Sequence, residues 1–172
     1  MVLGRRRREE AQTCDLCGRR ADDHDRHVRF SLPDPVLELP DLDDTDGVWT
    51  SDPDPHRAVM MQVPDLGGFV RALLPVRLTR GYTVTFGVWV GVHPDDLRRA
   101  FDLWWDEKYP TLTLSGRLAN AVPGWGLLAA PVDLAVVDPA ATPYCVASTN
   151  TELAKVLTEE WDHEPVLSQL PA

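Results

Sequence analysis

The 172-residue chain has no run of about 18 apolar residues, so nothing in it reads as a transmembrane helix. Its opening MVLGRRRREEAQ carries basic residues with no apolar core behind them, which does not fit a secretory signal. Cysteine is scarce: three residues, two of them in a Cys-x-x-Cys, fit a reducing, cytoplasmic setting better than a disulfide framework. Positive charge is scarce as well, with 17 Lys and Arg against 27 Asp and Glu and a net charge of -10. Phosphate backbones demand the opposite balance, so no nucleic-acid partner is expected, and no membrane partner either. Also missing are Gly-x-Ser-x-Gly, a Walker A loop, His-Glu-x-x-His and Gly-x-Gly-x-x-Gly. Gly67-Gly68 is too short to cradle a phosphate, and the five histidines are scattered. No catalytic residue is therefore assigned.

What is present centres on Tyr82 to Trp125, which holds four of the six tryptophans. Residues 83–92 alternate β-branched and aromatic types, which suits a pleated, half-buried surface. Val84, Phe86, Val88 and Val90 share one face, with Trp89 on the other. The unbroken Trp89-Val90-Gly91-Val92 ending predicts an interior strand with both faces covered. His93-Pro94-Asp95-Asp96 then reads as a helix start, since proline is tolerated at the first helical position and acids suit the dipole's positive end. Leu97, Ala100, Phe101, Trp104 and Trp105 recur at helical spacing and predict one apolar stripe over residues 94–106. Asp95–Arg99 and Arg98–Asp102 are spaced as i,i+4 pairs. Residues 111–120 resume alternation, and Pro123-Gly124 turns the chain.

Around this block lie further strands at 57–63, 68–78, 127–137 and 143–147, with prolines 64, 75 and 131 marking interruptions. Arg71 and Arg77 are expected to point outward from half-buried strands, and Cys145 to be a small buried hydrophobe. Thr149 and Glu152 are spaced as a capping box for a second helix carrying Leu153, Val156, Leu157 and Trp161. The fold expected is α+β: a single domain over 13–165, mainly an antiparallel sheet with two helices packed on it and an N-terminal Cys-x-x-Cys knuckle. Residues 1–12 read as a disordered basic tail and 166–172 as a second tail. Residues 34–54 read as an acidic, proline-rich surface loop, since 31–66 hold nine acidic groups against one basic. The run from Asp41 to Asp46 lacks the later glutamate that a calcium loop needs.

Cys14 and Cys17 have the spread of half a tetrahedral zinc site, and His24 and His27 are the nearest candidates to complete it. A plain turn with two reduced cysteines and surface histidines fits the same residues. A pocket near Trp89, His93, Arg117, Asn120 and Trp125 is the candidate ligand- or partner-binding site, with a structural cap as the alternative role for His93.

Cys-x-x-Cys-Gly at 14–18, FVRALL, FGVWVGV leading into the Pro94 helix, SGRLANAVPGW and LLAAPVDLAVV occur here in one order, with TELAKVLTEEWD behind them. Together they resemble a bacterial domain-of-unknown-function family, the one numbered 2199, over residues 13–165. The resemblance implies a small bacterial protein with paired cysteines suited to a zinc knuckle, and it carries no activity. Three functions follow as expectations. The first is a non-enzymatic binding or accessory protein whose acidic surface meets a basic protein partner. The second is a small protein with structural zinc, and the third is a small-ligand binder or enzyme with its pocket near Trp89, His93 and Arg117. The oligomeric state is left open.

Overall fold

Ten alternating residues build a strand that pairs with three others. A computed structural model describes residues 26–171. Its strands are β1 (Arg26–Arg29), β2 (Trp49–Thr50), β3 (Met60–Val63), β4 (Gly67–Arg77), β5 (Thr83–Val92), β6 (Thr113–Leu118), β7 (Pro131–Ala135) and β8 (Tyr144–Ala147). The helices are α1 (Asp34–Leu37), α2 (Pro94–Leu103), α3 (Thr151–Thr158) and α4 (His163–Ser168).

β5 occupies the predicted span. It pairs antiparallel with β4 from Arg77↔Thr83 to Gly68↔Val92. Its other edge takes β1 in parallel over Val84–Gly87 and β6 at Val90 and Gly91. Strands β4 to β8 close into a five-stranded barrel, because β8 returns to β4 at Leu73↔Tyr144. β3 and β2 extend the sheet from β4. Most neighbours run antiparallel, as the sequence predicts; β1–β5 and β4–β8 are the parallel pairs.

The barrel interior follows from the period of two. Val70↔Val90, Ala72↔Val88, Leu74↔Phe86 and Val76↔Val84 all face inward and are fully buried. Each such side chain contributes roughly 1.5–3 kcal/mol of transfer free energy. The opposite face of the same strands carries a second cluster in which Phe69, Met61 and Val63 pack with Trp89, Ala119 and Val36. So β5 is covered on both faces: valines and Phe86 inside, Trp89 outside. Cys145 is a buried free thiol pushed up to about 12 by burial, which makes it a poor nucleophile.

Several sequence expectations need correction. Pro75 does not interrupt β4; it pairs with Thr85 in mid-strand. The N–H groups of Arg71 and Leu73 donate away from β5, to Val59 and Pro143. Pro75 shares that orientation, so its missing N–H loses no bond to β5. Arg71 does not point outward. It is buried, as described below. α2 begins where predicted, with His93 Nδ1 accepting from the Asp95 N–H at 3.1 Å, but it ends at Leu103. Leu97 and Ala100 are buried, whereas Phe101 and Trp105 are each 56% exposed. The helix is too short, and seats too narrow a face on β3 and β4, to cover the whole aromatic stripe. Arg99 turns to Asp96 at 3.1 Å rather than to Asp95.

The cap of α3 is Asn150, not Thr149. Its Oδ1 accepts from the Glu152 and Leu153 N–H groups at 3.0 Å, a role for which asparagine ranks with the best residues. Trp161 lies beyond α3, hydrogen-bonded through its backbone to Arg77 and Thr79. Behind it comes α4, a short helix in the stretch where the sequence suggests only a tail; Pro165 falls in its first turn, where proline costs no helical bond. The acidic 34–54 segment is not wholly irregular either, since it contains α1 and β2.

Candidate functional site

Where β4, β5 and β6 run side by side, a cleft of about 620 Å³ opens on the barrel's outer face. Its floor follows from register. Phe69 pairs with Gly91, and Gly91 pairs with Arg117, so the three share the outward face. Strands lie about 4.8 Å apart, so a bare Gly91 separates the two flanking side chains by roughly 10 Å. Three glycines line the site, and packing accounts for two. A Cβ on Gly68 would stand 3.0 Å from Leu97, and one on Gly116 would stand 2.2 Å from the Gly91 carbonyl oxygen. A Cβ on Gly91 would meet nothing closer than 3.7 Å. Packing therefore does not demand glycine there, and the open floor is its consequence.

The walls are apolar, with Phe69, Leu66, Pro35 and Ala119 on the lining and Leu128 half-exposed at the rim. Arg117 brings the cation; one guanidinium nitrogen donates to the Ala129 carbonyl at 3.1 Å. His93 lines the same cleft, and because its Nδ1 accepts from Asp95, its Nε2 is the nitrogen left to carry a proton. Asp65 stands on the rim as well. Both rim turns hold non-glycine residues in the left-handed region, Asp65 at φ 66° on one and Leu127 and Ala129 at 70° and 67° on the other. Such residues each cost on the order of 1–3 kcal/mol and cluster at functional sites.

Of the five pocket residues that the sequence points to, the structure brings His93 and Arg117 together in this cleft. Trp89 and Asn120 are fully buried and belong to a structural cluster instead. Asn120 Oδ1 accepts from the Trp89 N–H at 2.8 Å, and its Nδ2 donates to the Leu32 carbonyl and to Asp34 Oδ1, both at 2.9 Å. The Arg71 guanidinium lies 4.2 Å from the centre of the Trp89 ring. It donates to the carbonyls of Phe30, Ser31, His56 and Ala58. Burial, and then Arg29, pull Arg71 down to about 9, which leaves it charged at neutral pH. With its donors so engaged, this cluster is a staple for segments 30–34 and 56–58. Trp125 packs edge-on against Trp161, with ring centres 5.2 Å apart, and does not line the cleft.

Cys14, Cys17 and His24 lie outside the described residues. His27 sits on β1 and is exposed. Among the described residues no group of three or more His, Cys, Asp or Glu could hold a metal ion, and no helix is long and apolar enough to cross a membrane. The sequence reading missed Gly91, Leu66 and Leu128; the one signal for them was a glycine inside an otherwise β-branched strand.

A family model described as "Uncharacterized protein conserved in bacteria (DUF2199)" matches residues 13–152. No curated protein and no solved structure matches the chain.

Proposed function

The chain belongs to this bacterial family, whose description assigns no activity, and from that premise we propose that it is a small-ligand-binding protein. Its ligand is an apolar chain or ring bearing one carboxylate, held in the cleft over Gly91. The observation that carries this reading is the bare glycine between Phe69 and Arg117. It leaves an apolar slot with a guanidinium at one side. Pockets of this kind fix a ligand's orientation with a few polar groups and draw affinity from apolar contact. Arg117 would take the carboxylate, with the His93 N–H as a second donor and Asp65 disfavouring the reverse orientation. Arg117, His93 and Asp65 enter this reading as donors and a charge that orient the ligand, so it is one of binding.

Calorimetric titration with decanoate, and with decanol as the uncharged control, tests it. Decanoate is expected to bind one to one, with Arg117→Ala weakening it roughly tenfold and decanol binding no better than that variant. Equal affinity for decanoate and decanol, or no saturable binding of either, would remove the basis for the proposal.

A second reading, recruitment of a basic protein partner by an acidic surface, is favoured by the exposed carboxylates of Asp43, Asp44 and Asp46. Asp41, by contrast, is engaged in a turn, accepting from the Asp43 N–H at 3.0 Å. Zinc held by Cys14, Cys17, His24 and His27 is a separate proposal, supported by the residue types and by the spread of the Cys14–Cys17 pair. Elemental analysis of the purified chain should find about one equivalent of zinc; a value near zero excludes it.

A further inference from the structure

The cleft over Gly91 has two unlike ends. At the β6 end a turn is closed by the Ala130 N–H, which donates to the Leu127 carbonyl at 3.1 Å. This turn is tied to β6 from both directions. The Ala129 N–H donates to the Leu118 carbonyl at 2.7 Å, and the Leu118 N–H donates to the Ala130 carbonyl at 2.9 Å. Leu128 is thereby held at the Arg117 end of the cleft. At the other end the Leu66 N–H donates to the Val63 carbonyl at 3.2 Å, which sets Asp65 and Leu66 at the start of β4. β4 and β6 flank β5 on opposite sides at Gly91. The cation and the acid therefore stand at opposite ends, each accompanied by one leucine.

Leu66 is 39% exposed and Leu128 50%. A single exposed leucine is ordinary on a protein surface. Two on opposite rims of one apolar cleft, each held by a hydrogen-bonded turn, leave apolar surface for a ligand to cover. The span to be covered follows from register. Two strand spacings, roughly 10 Å, separate the Arg117 side of the floor from the Phe69 side. An acid the size of benzoate, held at Arg117, ends over Gly91. A chain the length of decanoate crosses to Phe69 and Leu66. Asp65, beside Leu66, repels a second carboxylate at that end.

We propose that the ligand is an elongated apolar monocarboxylate lying across β4, β5 and β6, with its head at Arg117 and its tail against Leu66. Leu128 covers the part of the chain near the head. Leu66 covers the last carbons and so sets the preferred length, while Asp65 selects one carboxylate over two. This rests on the ligand-binding reading of the same cleft, and adds to it the shape, direction and length of what is bound.

The test is calorimetric titration of the full chain with hexanoate, decanoate and decanedioate. A fully buried methylene is worth about fourfold in affinity. The cleft is open to water on one side, so decanoate should bind roughly thirtyfold more tightly than hexanoate. Leu66→Ser should shrink that ratio to about fivefold, because only the longer acid reaches Leu66. Leu128→Ser should weaken both acids together, roughly threefold, and keep the ratio near its wild-type value. Decanedioate should bind about tenfold less tightly than decanoate, and Asp65→Asn should narrow that gap to about threefold. Asparagine suits the left-handed backbone of this turn, so the variant removes the charge and keeps the geometry. A merely structural role for Leu66 would lower affinity for both acids alike. That result, or equal binding of hexanoate and decanoate, overturns the inference and leaves the carboxylate at Arg117 standing. A decanedioate gap that Asp65→Asn does not change overturns the assigned direction. Failure of every acid to saturate removes the ligand-binding reading itself, and this inference with it.

Discussion

Arg71→Met should lower the unfolding free energy by about 3–4 kcal/mol, a loss of roughly 10 °C in Tm for a chain of this size. The guanidinium is buried over the Trp89 ring and serves four backbone carbonyls from two separate segments. Methionine matches the length of the stem but leaves those carbonyls short of donors in a site with little access to water. The damage should be local first. Backbone amides near residues 30–34 and 56–58 are expected to gain hydrogen exchange before the barrel strands do. Arg71→Lys keeps the charge but loses the planar fork and the stacking, so it should fall between wild type and Met. Thermal and urea melts give the magnitude. A loss under about 1 kcal/mol would mean that other contacts hold the two segments.

The second large effect separates two glycines that pair into the same part of the sheet. Gly116→Ala should cost about 3 kcal/mol, because its methyl would lie 2.2 Å from the Gly91 carbonyl oxygen and 2.8 Å from Val90. The obstacle is backbone in the barrel wall, so relief requires β5 and β6 to part. Gly91→Ala meets only ordinary contacts and should change stability by no more than about 1 kcal/mol, since alanine also narrows the unfolded ensemble. Urea melts of the two variants beside wild type decide the matter. Similar losses for both would mean that Gly91, too, is a packing requirement, and the argument for an open floor would fail.

The pattern of what was legible has a physical basis. β5 could be read to the residue because two periodicities agree along it: inward Val84, Phe86, Val88 and Val90, and outward Trp89. The start of α2 was legible in His93-Pro94-Asp95, a local signal of capping and dipole. Its end was not, because apolar spacing continues through Trp105 while the chain has already turned into a glycine-type geometry at that residue. Arg71 was unreadable for another reason. A lone arginine in an alternating strand ordinarily faces water, and the carbonyls that justify its burial come from positions 13 to 41 residues away. Trp89 and Asn120 were placed in the candidate pocket, but their polar groups are engaged internally with Ser31, Leu32 and Asp34. His93 and Arg117 survive as site residues because β5 and β6 bring them to one cleft. Closure of the sheet into a barrel left no local trace at all, since it rests on the single pairing of Leu73 with Tyr144.

The cleft over Gly91 is the claim on which the functional account turns, and amide chemical-shift mapping with decanoate tests it most directly. Saturating shifts confined to Gly68, Gly91, Arg117 and Leu128, and abolished by Gly91→Val, are the expected result. Shifts centred on Trp125 and Trp161, or a Gly91→Val chain that binds decanoate as wild type does, would contradict it.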